Sequence, residues 1–254
     1  MRYLVRVTLL ATTLMLATSL PVSRPGAGSA MPLMSASDLV ELRPGGAFRY
    51  RASGEFTLDG KPVTAPAVTI VLRRPIAFMR RQVTVAEYWL CVEAHACPAL
   101  GRGTPTPDRP LVKVSWVDAQ AYASWLSRKT GKRFRLPTDE EWAYAAGSRF
   151  RDDALPDQAE SSDPGRRALV NYDREAGREQ VIDKAPQPIG SFGANENDLL
   201  DIGGNVWEWT DTCFVRSVVN AQGSVTAAIA NCGVRIVEGR HRAYMVDFVR
   251  DARS

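Results

Sequence analysis

The chain has 254 residues, 45% of them hydrophobic and 24% charged, an ordinary globular composition with enough length for one large domain and a real core. The formal net charge of +4 is mostly contributed by the first thirty residues, where Arg2, Arg6 and Arg24 stand with no acid; the remainder carries +1. With no long basic run and no interleaving of basic and aromatic residues, nucleic-acid binding is excluded as a working reading.

In chain order, Arg2 and Arg6 precede an apolar, threonine-rich run from Val7 to Leu16, and small residues follow, ending Gly28-Ser29-Ala30. This is the layout of a secretory signal peptide over residues 1–30. The run is short for a membrane span, so cleavage near Met31 is expected, with no membrane association afterwards and a periplasmic or secreted location. No cysteine lies near the cleavage region, so a lipid anchor is not expected. Residues 31–41 read as a linker, and the domain is placed at 42–254.

From Leu42 the pattern is strand-like. Ala47 to Arg51, Gly54 to Leu58 and Val68 to Leu72 read as strands, with Asp59-Gly60 as a hairpin turn. Three helices announce themselves by their caps. Thr84 with Glu87, Ser115 with Asp118, and Thr138 with Glu141 each place an acid three residues after a hydroxyl. The first helix would run to about Glu93 with Val85, Tyr88, Trp89 and Val92 on its apolar side. The second would turn Ala119, Tyr122 and Leu126 inward and stop at Gly131. The third would carry Trp142, Ala145 and Ala146 and stop at Gly147. These stripes read as core.

Residues 148–198 are charged and lack periodicity, so irregular chain is expected there, with Asn171, Glu179 and Asp183 as candidate oxygen ligands or simply solvated loop polars. Then comes DIGGNVWEW, Asp201 to Trp209. Gly203-Gly204-Asn205 is a turn signal, and the period of two after it suits a short strand with Trp207 and Trp209 on one face. Two readings stay open: a buried aromatic hairpin with two solvated acids, or an oxygen-rich site for a hard cation built from Asp201, Glu208 and turn carbonyls. Beyond Trp209 the chain reads as polar to Asn231, with strands near Val234, Ile236 and Tyr244 to Val249. No internal repeat is present.

Cys91, Cys97, Cys213 and Cys232 form an even set in an exported chain, which suggests disulfides. Three pairings are possible, and locality in sequence favours Cys91 with Cys97 and Cys213 with Cys232. Zinc is the rival, but there is no CxxC and the histidines are only His95 and His241.

GGNVWEW, RLPTDEEWAYAA at Arg135 to Ala146 and the VKVSWVDAQAYASWLSRKTGKRFRLPT run leading into it resemble the formylglycine-generating enzyme (sulfatase-modifying factor) family. PGGAF at Pro44 to Phe48 and QVTVAEY at Gln82 to Tyr88 resemble its opening motifs. The resemblance runs in one order from about Leu42 to the C-terminus. It implies an α+β, C-type-lectin-like fold with small sheets, two to three helices and much irregular structure. It also implies structural calcium, held by the Asp201 and Glu208 carboxylates with the Gly204 and Val206 carbonyls. A looser second set is Asn171, the Tyr172 carbonyl, Glu179 and the Val181 carbonyl.

The family's oxidases act on a cysteine of a sulfatase through copper held by two cysteines. The matching segment here, Glu238 to Phe248, contains none, and a thiolate pair is what selects Cu(I), so copper is not expected. Candidate site residues at that position are Arg240, His241, Arg242, Tyr244 and Asp247. Related branches without the cysteines include ergothioneine-synthesis enzymes, whose iron is held by histidines of an additional domain, and a periplasmic branch acting in pyoverdine maturation; iron is left unassigned here. The family's usual GFR closing strand finds no match before Ser254, so a truncated end or a differently closed domain is expected. Two functions follow from the resemblance. One is an exported oxidoreductase-like member acting on a peptide or protein substrate. The other is a non-catalytic, calcium-stabilised binding module of the same fold. The oligomeric state is not legible.

Overall fold

A computed structural model describes residues 35–100, 106–152 and 185–250. The leader and the loop candidates Asn171, Tyr172, Glu179, Val181 and Asp183 lie outside the described residues.

Six short strands open the fold: β1 (Leu39–Leu42), β2 (Phe48–Arg51), β3 (Glu55–Leu58), β4 (Lys61–Val63), β5 (Ala67–Ile70) and β6 (Ile76–Met79). β1 pairs antiparallel with β6, and β2 with β5, as two separate ribbons. Residues 36–41 are therefore not a linker: a 3-10 turn leads into β1, because Leu42 packs into the core beside Trp142. The Asp59-Gly60 turn joins β3 to β4 as expected, with Asp59 and Gly60 both at positive φ.

The three helices are α1 (Val85–Glu93), α2 (Trp116–Thr130) and α3 (Asp139–Ala146). Each begins with a complete capping box, on Thr84 and Glu87, Ser115 and Asp118, and Thr138 and Glu141. The hydroxyl and the carboxylate each satisfy a main-chain N–H that would otherwise lack a partner, worth about 1 kcal/mol per cap. Each box acid also takes a guanidinium from elsewhere. Arg81 lies 2.8 Å from Glu87, Arg250 2.6 Å from Asp118 and Arg135 2.6 Å from Glu141. The buried face of α1 is Tyr88 and Cys91 rather than the expected stripe, and Trp89 is exposed. α2 buries Tyr122, Ala123, Trp125 and Leu126, and α3 buries Trp142, Ala145 and Ala146 against Leu199 and Ile202.

The largest departure from the sequence reading follows Trp209. In place of a polar stretch there is a long antiparallel hairpin, β7 (Glu208–Val219) and β8 (Val225–Glu238), turned at Asn220 to Ser224. β9 (Ala243–Val246) pairs with the last residues of β8, and β3 joins β7 in parallel. The resulting sheet has the order β4-β3-β7-β8-β9. Cys213–Cys232 ties β7 to β8 at an irregular point in their register, and Cys91–Cys97 closes the end of α1. Among the described residues no helix is long and apolar enough to cross a membrane.

Candidate functional site

Two neighbourhoods hold the residues singled out by sequence. The first is the Asp201–Glu208 turn. Asp198, Asp201 and Asn205 all adopt positive φ, a conformation that Asp and Asn tolerate through local hydrogen bonding. Gly203 is also at positive φ, and a Cβ there would come 3.1 Å from the Arg149 side chain. The turn directs Asp201 inward, fully buried, where its carboxylate accepts from the Gly190 N–H at 2.6 Å and the Phe192 N–H at 2.8 Å. Glu208 accepts from Gln82 Nε2 at 2.9 Å and Trp142 Nε1 at 3.0 Å. The same Gln82 amide donates to the Gly204 carbonyl at 3.3 Å, so Glu208 and Gly204 converge on one group. Gln82 Oε1 is buried with no partner. Burial raises the Glu208 carboxyl, and the facing Asp201 charge adds to this against the hydrogen bonds from Gln82 and Trp142.

This donor set has the chemistry of a hard-cation site: two carboxylates with main-chain carbonyls. Asp201, Glu208 and the Gly204 and Val206 carbonyls are the groups that would hold such a cation, and the unpartnered Gln82 Oε1 is a further buried oxygen of the same neighbourhood. Both oxygens of Asp201 and both of Glu208 accept protein hydrogen bonds in this arrangement. Among the described residues, no group of three or more His, Cys, Asp or Glu side chains is placed to hold a metal. Gln82 and Glu208 also line a cavity of about 460 Å³, shared with Tyr122, Leu126 and Trp209.

The second neighbourhood is the Arg240–Asp247 segment, and the structure separates its candidates. Arg242 is buried. Its guanidinium lies 3.0 Å from Glu238 and 3.3 Å from Asp139, donates to the Arg51 carbonyl at 3.0 Å, and stacks over the Tyr50 and Phe150 rings. Tyr50 donates a short hydrogen bond to Asp139. Glu238 Oε2 and Asp139 Oδ1 are buried with no other donor. Burial first, then a hydrogen bond and repulsion from Asp139, push the Glu238 carboxyl well above the usual range. Arg242 is thus a tie between β8, β2 and α3, not a group facing a substrate.

His241 bonds the Arg242 carbonyl through Nδ1 at 2.9 Å and packs edge-on against Trp207. Trp207 can reach that position only because residue 239 is glycine: a Cβ there would stand 2.3 Å from Trp207 Cδ1. Tyr244 accepts from the Gly54 N–H at 3.0 Å and packs on Phe214. Asp247 is held through its main chain to Trp116 and Gly233. Arg240 is exposed. All four cysteines are consumed in disulfides, so no thiol is available to bind copper and the residues present do not fit that metal.

Sequence reasoning missed Gln82, Trp142, Tyr50, Asp139 and Glu238 as members of these constellations. Gln82 and Trp142 stood inside recognised motifs, but only the long-range approach of the segment before α1 and of α3 to Glu208 gives them a role.

A family model described as the sulfatase-modifying factor enzyme 1-like domain matches residues 31–254. The chain belongs to this family. It is 39% identical over 125 residues to the formylglycine-generating enzyme of Mycobacterium tuberculosis, covering 45% of this chain and 38% of that protein. It is 32% identical over 176 residues to the formylglycine-generating enzyme of Streptomyces coelicolor, covering 65% and 52%. The chain thus spans about half, or less, of the length of these curated relatives. Among solved structures, PvdO from Pseudomonas aeruginosa superposes with a TM-score of 0.53 at 23% identity, covering 84% of this chain and 89% of that one. That likeness bears on the fold, which is the α+β arrangement expected for the formylglycine-generating-enzyme family.

Proposed function

We propose that the protein is an exported, oxidoreductase-like member of the sulfatase-modifying factor family that acts on a peptide-like substrate, by a chemistry other than copper held between two thiolates. The single observation carrying the negative half is the cysteine inventory: four cysteines, two disulfides, none in the Glu238–Phe248 segment. Kinship with the formylglycine-generating enzymes supports the positive half, and the N-terminal layout of basic, apolar and small residues supports export to the periplasm or medium. Calcium, held by the Asp201 and Glu208 carboxylates with the Gly204 and Val206 carbonyls, is proposed as structural. It would pin the Trp207 turn to the segment before α1 and to α3 through Gln82 and Trp142.

A second reading, a non-catalytic binding module, is favoured by a specific observation. His241, Arg242, Tyr244 and Asp247 are all engaged in contacts that hold the fold together, and of the five candidates Arg240 and Tyr244 are exposed.

Incubation of the purified protein with a sulfatase-type cysteine peptide, copper and a reductant, followed by oxygen-uptake measurement and mass spectrometry, tests both. No aldehyde product is expected. Oxygen uptake with another peptide modification supports the first reading, and saturable binding without turnover the second. An aldehyde mass that disappears on Cys232→Ser would overturn the exclusion of the copper–cysteine route.

A further inference from the structure

The five-stranded sheet has two edges, and they differ in chemistry. One is β4, which reads Lys61-Pro62-Val63. It is short, carries a charge and contains a proline, and each of these discourages a further strand from pairing there. The other edge is formed by the short β9 and, beyond it, by β8. β9 covers only Val234 to Val237 of β8, and on the side away from β7 no strand among the described residues lies against Val225 to Cys232. That stretch reads VTAAIANC, eight residues without a charge or a proline. Every one of them is exposed.

The side chains reinforce the point. Ala227 and Ile229 lie on one face of β8, opposite Val218 and Arg216 on β7; beyond a register shift, Val225 pairs with Val219. On that face Val218 and Ile229 are exposed at 43% and 76%, and Val225, at the turn end of the strand, at 51%, so large apolar side chains stand open to solvent along the outer half of the hairpin. The opposite face of the hairpin turns Val219 inward. Cys213–Cys232 staples the base of this arm, and β3 supports β7 along Arg216 to Val218. The edge is therefore a stiff template with its hydrogen-bonding groups presented outward, not a frayed end.

We propose that this edge is a self-association surface, at which β8 of a second copy of the chain pairs antiparallel about a two-fold axis near Ala228–Ile229. The absence of charge is the argument for a second copy. Antiparallel self-pairing sets each residue opposite one from the same stretch, and a charged strand would there oppose its own sign. With Val, Thr, Ala, Ile and Asn the two copies are self-complementary. Small alanines at 227, 228 and 230 leave room for Ile229 of each copy on the shared face, and the two sheets become one of ten strands.

Sedimentation or light scattering on the full chain, titrated to roughly 100 μM, where a specific interface of ordinary affinity is filled, reads the association state. A dimer is expected. Ile229→Lys adds a charge to a side chain that is already exposed, so the melting temperature should hold while the protein becomes monomeric. Single cysteines placed at Ala227, Ala228 and Ile229 should cross-link between copies on oxidation, most strongly nearest the axis, because the native cysteines are already paired. Any of three outcomes overturns the proposal: a wild-type protein monomeric throughout the titration, a dimer that persists in Ile229→Lys without cross-links at these positions, or a monomer whose 225–232 amides resist hydrogen exchange. The last would mean that another segment of the same chain covers the edge.

Discussion

Replacing Arg242 by methionine tests the tie that closes the sheet onto α3. The Arg242, Asp139 and Glu238 side chains are exposed at 3%, 1% and 0%, so the two acids have no solvent to turn to when the guanidinium is gone. Removing one partner from a buried charge cluster typically costs about 3–5 kcal/mol. For a domain of this size that corresponds to a fall in melting temperature of roughly 6–20 °C. The pH dependence carries a sign. Glu238 holds its proton to higher pH in the folded state than in the unfolded chain. Between the unfolded and folded values the native state thus binds the extra proton, and stability falls as pH rises through that window. Loss of Arg242 takes away the charge that favours ionised Glu238, so the deficit of Arg242→Met should be larger at pH 8 than at pH 5. Glu238→Gln in the same background should recover part of it by removing one acid while keeping a hydrogen-bond donor. Thermal melts by circular dichroism across pH 4 to 8 decide the matter. If Arg242→Met melts within about 2 °C of wild type at both ends of that range, the reading of this cluster as a structural tie is wrong.

Three further predictions follow from the geometry. Replacing Cys213 and Cys232 by alanine should cost about 3 kcal/mol in the chain-entropy picture, and non-reducing peptide mapping should find both native pairs and no cross-pairing. Chelation should lower the melting temperature if calcium binds at the Asp201 turn, with up to about 2.7 kcal/mol lost from a site held at 100 times its dissociation constant; Glu208→Gln should remove most of the response, and elemental analysis that finds no metal would end the idea. Burial alone would raise the Asp118 carboxyl, but hydrogen bonds from Arg250 and from Ser115 outweigh it and hold it below the ordinary aspartate value. Its stability contribution is present above the unfolded value and lost as pH falls through the folded one, so Arg250→Met should flatten the acid limb of the stability profile measured by urea titration.

Much of the helical frame was legible because capping boxes are local: Thr84, Ser115 and Thr138 each meet their acid three residues on, and the structure starts a helix at every one. The nearby-cysteine pairing was legible for the same reason. The β7–β8 hairpin was not. Its outer half, Ser224 to Asn231, lacks the inside–outside alternation that marks a half-buried strand, since every one of its residues is exposed. β1 was lost to the linker because only pairing with β6, 37 residues later, makes it a strand. At the candidate site, Asp201 and Glu208 could be named from one turn. Gln82 and Trp142 could not, because they lie 126 and 66 residues from Glu208 and reach it only through packing. Arg242 was nominated for a surface role because a sequence does not show which arginine is buried.

The parallel pairing of β3 with β7 sets an order for assembly. Glu55 meets Arg216 across 161 positions of chain, and nothing nearer in sequence can stand in for that neighbour. Until β7 is available, β3 and β4 are an isolated two-stranded ribbon, a unit of marginal stability in water. Synthesis from the N-terminus therefore leaves the opening strands waiting while α1, α2 and α3 form from contacts close in sequence. The sheet can then nucleate only from its C-terminal hairpin, whose strands are a few residues apart, and recruit β3 last. Such late, long-range closure is slow compared with helix formation, and the rate of refolding should respond to changes in the Asn220–Ser224 turn more than to changes at Asp59-Gly60.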